Sequence, residues 1–158
     1  LEKRRPEALF LFVGDGSRRG ETERAARGMG NVRFLPYQPL EKLGESLSAA
    51  DVHAVTMLEG MEGLMVPSKL YGALASGRPV LFVGPEGCEV SRVIGKHGVG
   101  WSLRPGDAAA VASAIEAAQG EPAMTTEKGE RARRTFERLY DRAVAVRTWR
   151  EALRDAAR

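Results

Sequence analysis

Along this chain, short apolar runs alternate with stretches whose apolar residues recur every three or four positions, and turn residues separate the two. Ala8 to Val13 predicts a strand that stops at Gly14-Asp15-Gly16, Glu21 to Met29 a helix ended by Gly30, and Val32 to Pro36 the next strand. Pro39 to Ala50 carries Leu40, Leu43 and Leu47 on one helical face, and Asp51 to Met57 predicts a third strand. Beyond a Gly/Glu/Met loop, Ser68 to Ser76 is helical with Gly77 behind it, and Pro79 to Val83 is an uninterrupted apolar strand. Cys88 to Lys96 predicts a helix and Val99 to Leu103 a fifth strand, with Asp107 capping the alanine-rich helix Ala108 to Ala118.

Strand-then-helix units with continuous apolar strands imply an α/β fold, a Rossmann-like parallel sheet with helices on both faces. Such sheets bind ligands outside the carboxyl ends of their strands, which directs attention to the loops 14–20, 37–38, 58–68 and 84–89. Residues 1–120 are expected to form the ligand-binding body. Residues 121–129, with Pro122 and Gly129, read as a linker. From Glu130 onward there is no Gly or Pro, and Phe136, Leu139, Tyr140, Ala143, Val146, Trp149 and Leu153 predict one long amphipathic terminal helix.

At 158 residues the chain can bury a core without staples. Its single cysteine, Cys88, excludes a disulfide framework and suits a reducing, cytoplasmic compartment. No apolar run approaches the roughly 18 residues of a membrane span. The net charge of +3 raises the question of nucleic acid. Lys/Arg and Asp/Glu balance over residues 1–120, so the excess lies in the tail, without aromatic interleaving or a zinc finger. No nucleic-acid partner is expected.

Three loops carry candidate chemistry. Gly14-Asp15-Gly16-Ser17-Arg18-Arg19-Gly20 joins a strand to a helix, where backbone amides and two arginines could hold a phosphate; a turn glycine needed for geometry alone is the alternative. Its third glycine is one residue late for a dinucleotide fingerprint, and Leu35-Pro36-Tyr37 stands where the acidic ribose ligand would be, which disfavours a nicotinamide cofactor. In the second loop Pro67, Ser68 and Lys69 open a helix. A cation there opposes the helix dipole at a cost of about 0.3–1 kcal/mol, which a bound diphosphate would offset; an exposed lysine of no consequence is the alternative. In the third, Gly84 to Glu89, Glu89 could accept from ribose hydroxyls or be an ordinary first-turn glutamate. His53 and His97 have no partner at metal-ligand spacing, and Cys88 has no adjacent base.

Taken in order, Phe10-Leu-Phe-Val-Gly-Asp-Gly, Asn31-Val-Arg-Phe-Leu-Pro-Tyr, Ala50-Asp51-Val-His, Val66-Pro-Ser-Lys-Leu-Tyr with Leu74-Ala-Ser-Gly-Arg-Pro-Val, Glu89-Val, and Gly98-Val-Gly-Trp with Pro105-Gly-Asp resemble the donor-binding, C-terminal half of GT-B glycosyltransferases. The family-four type that builds bacterial surface polysaccharides, including acetylfucosamine transferases, is the nearest. The resemblance implies a retaining, metal-independent transferase without a cofactor, moving a sugar from a UDP-linked donor to a saccharide or lipid-linked acceptor. It implies that Gly14, Gly16 and Arg18 approach the donor, that Tyr37 and Gln38 border the nucleobase, and that Glu62, Gly63 and Leu64 face sugar and phosphates. Ser68 and Lys69 would grip the diphosphate, Lys69 being the catalytic residue, and Glu89 would take the ribose. A second family glutamate aligns with Gly72, so its ribose contact is absent.

The chain also opens at Leu1 in what looks like the helix after the family's first strand, and the acceptor-binding half is missing. The expectation is a fragment that binds nucleotide weakly without transferring sugar, with a rearranged sheet or an exposed edge open to self-association. Its tail helix would pack on the missing half in preference to an anionic membrane face. The other readings are a UDP-N-acetylglucosamine 2-epimerase-like enzyme, whose acid/base residues are not found, and a non-catalytic nucleotide-binding module.

Overall fold

The structure, a computed structural model, describes residues 7–65 and 67–157. Leu1, read as opening in a helix, and Val66, at the head of the Pro-Ser-Lys run, lie outside the described residues. The elements follow in the order β1 (Phe10–Val13), α1 (Arg19–Ala25), β2 (Val32–Leu35), a 3-10 turn (Leu40–Lys42), α2 (Leu43–Ser48), β3 (His53–Thr56), α3 (Lys69–Ala75), β4 (Val80–Val83), α4 (Glu89–His97), β5 (Gly100–Leu103), α5 (Ala108–Gly120), α6 (Pro122–Leu139) and α7 (Arg142–Ala156). The chain divides into two compact units, one ending at Ser46 and the other beginning at Leu47.

All strand pairs are parallel, as continuous apolar runs predict, but they form two sheets. In the first unit β1 pairs with β2, Phe10 opposite Val32 and Val13 opposite Leu35. In the second the order is β3-β4-β5, with Phe82 opposite Val55 and Ser102. Among the described residues, Asn31 is the first unit's one buried residue, while Leu9, Leu11, Phe12 and Val13 are exposed. A two-stranded sheet leaves apolar side chains on both of its faces uncovered.

The core belongs to the second unit. Val80 and Phe82 of the central strand are fully buried, and Leu70, Ala73 and Leu74 of α3 and Val90, Val93 and Ile94 of α4 pack with them at helical spacings. Asp107 caps α5 as expected, its Oδ1 accepting from the Ala110 amide at 2.8 Å.

The stretch 121–129 is not an irregular linker: Glu121 joins α5 to α6, and residues 122–129 are the first turns of α6. Pro122 occupies the first helical turn, where its missing N–H costs nothing, so it starts this helix instead of breaking one. Gly129 is buried where α6 crosses the end of α3, and a Cβ there would lie 2.4 Å from the Gly77 carbonyl oxygen. The long terminal helix is present and bent. Its break falls at Tyr140–Asp141, where the Asp141 carboxylate accepts from the Ala143 amide at 2.8 Å and begins α7.

His53, at the start of β3, donates from Nε2 to the Leu47 carbonyl at 2.9 Å. Burial holds its pKa below the usual 6.5, the Leu47 hydrogen bond opposing and the Arg78 cation adding to the depression. The native state therefore favours the neutral ring while the unfolded chain takes up a proton, so stability is intact above about pH 6.5 and falls as pH drops below it. Urea unfolding between pH 7.5 and 5 is expected to show that loss, and His53→Gln to remove its share, leaving the part due to His97, also lowered by burial. An unchanged slope in the variant would exclude His53 as its source.

Candidate functional site

Because the strands are parallel, the candidate residues emerge at their carboxyl ends. In the first unit β1 runs into the loop with Gly14, Gly16 and Arg18, and β2 into Tyr37 and Gln38. Gly14 has φ +106°, a conformation glycine adopts without strain, and a Cβ there would lie 3.0 Å from the Tyr37 ring. The Tyr37 hydroxyl donates to the Asp15 carbonyl at 3.3 Å, yet the residue is 73% exposed. Thus Gly14 and Tyr37 form one surface, an adjacency expected from parallel pairing of β1 and β2.

The other groups of this loop are engaged. The Gly16 amide donates to Asp15 Oδ1 at 2.7 Å, and Gln38 Nε2 to the Pro36 carbonyl at 3.0 Å. Arg18 holds Glu21 through two hydrogen bonds of 2.9 Å, and these, with the opposite charges, raise the guanidinium pKa and lower the carboxyl's. Both are exposed, so the pair contributes little and can open to an anion. Arg19, also considered for charge, braces the loop: Nη1 donates to the Gly14 carbonyl, Nε to Glu23, and the guanidinium lies 5.9 Å from the Phe34 ring centroid.

In the second unit the loop from β3 to α3 presents Glu62, Gly63 and Leu64 on an exposed turn, closed by the Leu64 amide on the Met61 carbonyl and by Gly63 at φ +77°. Ser68 and Lys69 follow at the start of α3. Ser68 is itself in helical conformation and its hydroxyl makes no capping hydrogen bond, while Lys69 is exposed with no ion-pair partner among the described residues. Glu89, first residue of α4, is half-exposed and pairs with Arg92 at 3.2 Å. Gly72 backs onto Leu47, to which a Cβ would come within 3.4 Å.

Two residues escaped the sequence reading. Tyr71 and Tyr140 pack with ring centroids 5.0 Å apart and planes tilted by 58°. Burial raises both phenol pKa values, and the negative charge of Glu89 raises both further. Tyr71, two positions after Lys69, could have been placed near the site. Tyr140 comes from the bend between α6 and α7, and its distance along the chain left no signal.

Residues 1–119 match the family described as "Glycosyl transferases group 1". The chain is 38% identical over 112 residues to "Probable glycosyltransferase WbjE" of Pseudomonas aeruginosa, covering 70% of this chain and 28% of that protein. Among solved structures it is similar in fold to WaaG, a glycosyltransferase involved in lipopolysaccharide biosynthesis, with TM-score 0.68 at 21% identity over 87% of this chain and 36% of WaaG. It is similar also to sucrose-phosphate synthase from Thermosynechococcus elongatus, with TM-score 0.73 at 23% identity over 93% of this chain and 38% of that one. These likenesses show the expected GT-B fold. The chain spans about a third of the length of each of these proteins.

Proposed function

This chain belongs to the glycosyl transferases group 1 family, and on that footing we propose that it is the donor-binding part of a retaining, metal-independent glycosyltransferase that takes a UDP-linked sugar and passes it to a saccharide or lipid-linked acceptor. The observation that carries this reading is the state of Ser68 and Lys69. A serine that caps nothing and a cation with no ion-pair partner among the described residues, set against a helix dipole, make little structural sense together. They make sense as two groups waiting for an anion.

When the sugar–phosphate bond breaks, negative charge grows on the departing diphosphate. The Lys69 ammonium, the Ser68 hydroxyl and the first-turn amides would stabilise that charge more than the ground state, which is what accelerates a reaction. Glu89 would accept from the ribose hydroxyls after releasing Arg92, an exposed pair that opens at little cost.

Calorimetric titration with UDP, GDP and NAD tests the reading. UDP is expected to bind, and Lys69→Ala to weaken it by about tenfold or more, the loss of one charge-assisted contact. Equal UDP affinity in chain and variant, or binding of none of the three, would overturn it.

A further inference from the structure

The two ends of α3 are held by different means. Behind it, Arg133 of α6 donates from Nη1 to the Ala75 carbonyl, and the Gly77 carbonyl lies against Gly129. At its start no side chain caps the backbone, and no acidic residue stands in the first turn. Seven residues form no stable helix by themselves, so tertiary packing has to place that turn. Leu70, fully buried, and Tyr71, which packs against the core, do so. Successive helical residues lie about 100° apart, so Leu70 and Tyr71 together occupy the side opposite Lys69 and turn its ammonium away from the core.

Leu70 is enclosed by the core, whereas Tyr71 finds its partner far along the chain. The Tyr140 ring lies 5.0 Å away and is tilted by 58°, an arrangement that aromatic pairs favour. Tyr140 stands where α6 ends: its amide and that of Asp141 both donate to the Phe136 carbonyl, at 2.8 and 2.9 Å, and Asp141 opens α7. Phe136 and Tyr140 are themselves packed against the core. The bend in the terminal helix thus fixes a ring against the helix that begins with Ser68 and Lys69. We propose that Tyr140 is a positioning residue of the donor site, bracing Tyr71 and through it the first turn of α3. The inference rests on the reading of Ser68 and Lys69 as diphosphate ligands and deepens it, and every contact it uses is made within the second unit.

In NMR titrations Tyr140→Ala is expected to lower the preference for UDP over uridine by about fivefold, the scale of one aromatic pair, because uridine has no diphosphate for a displaced Lys69 to miss. Tyr140→Phe, which keeps the ring, should bind both ligands as the parent does. Tyr140→Leu, which keeps apolar bulk without the ring, should behave like the alanine chain and replaces it where that chain unfolds. Hydrogen exchange gives a readout without nucleotide: the Tyr71 and Gly72 amides, both bonded to the Ser68 carbonyl, should exchange several-fold faster in Tyr140→Ala while those of α4 keep their rates. A parent that binds no UDP would overturn the diphosphate reading and the proposal with it. Unchanged exchange at Tyr71 and Gly72, or an unchanged UDP preference in a chain whose parent binds UDP, would overturn the proposal alone. A loss shared equally by UDP and uridine would do the same, assigning the ring to the fold and not to the site.

Discussion

Replacing Gly129 by alanine is expected to destabilise the protein by about 1–3 kcal/mol, although alanine is the better helix former by up to about 1 kcal/mol. The reason is where α6 crosses α3. The new methyl would lie 2.4 Å from the Gly77 carbonyl oxygen, a backbone atom that cannot rotate away. Gly77 is held at φ +67° as it ends α3, its amide on the Leu74 carbonyl at 3.1 Å. The helices would have to separate, loosening Ala132 and Thr135 of α6, both buried. The same substitution at Gly95, in α4 with open space around it, should instead stabilise by roughly 0.5–1 kcal/mol. Urea midpoints for the two variants decide the matter: shifts of the same sign would rule out the close contact as the cause.

Phe82→Ala is expected to cost about 3–5 kcal/mol, the range for deleting a fully buried phenyl ring. Phe82 is 0% exposed at the centre of β4 and lies under the Gly84 turn, where a Cβ would come within 2.4 Å of its ring. Those neighbours can fill little of the space it leaves, because β4 is held on both sides by β3 and β5. Against a total stability of about 5–15 kcal/mol, the variant should unfold at much lower urea. Leu64→Ala, at a 76% exposed position, should change stability by less than about 0.5 kcal/mol. A Phe82→Ala chain as stable as the Leu64→Ala chain would show that β4 is not the centre of the core.

Most elements were legible because apolar periodicity reports local conformation directly. The run Pro79 to Val83 could only be a strand covered on both faces, and it is the central one. Asp107 announced its helix through a capping oxygen, a contact made within three residues. The misreading of 121–129 has an equally local origin: Pro and Gly break most helix interiors, and the sequence does not say that Pro122 stands in the first turn of α6 and Gly129 inside it at a close crossing. The bend at Tyr140–Asp141 was hidden because the apolar spacing runs on through it.

The candidate site was legible to the same depth. The loops at the carboxyl ends of the strands, and Ser68 and Lys69 at a helix start, follow from the order of the elements. That Arg18 is tied to Glu21, that Arg19 braces Gly14, and that Tyr71 packs on Tyr140 do not.

By itself the sequence determined the parallel α/β pattern, the family and the end of the strands at which the candidate residues gather, since each is written in residue types over short spans. Tertiary structure alone decided the division at Ser46, the two sheets in place of one, and the glycine contact between α3 and α6. Those depend on which surfaces meet, and residues some fifty positions apart, such as Gly77 and Gly129, leave no mark on each other's neighbours in the chain.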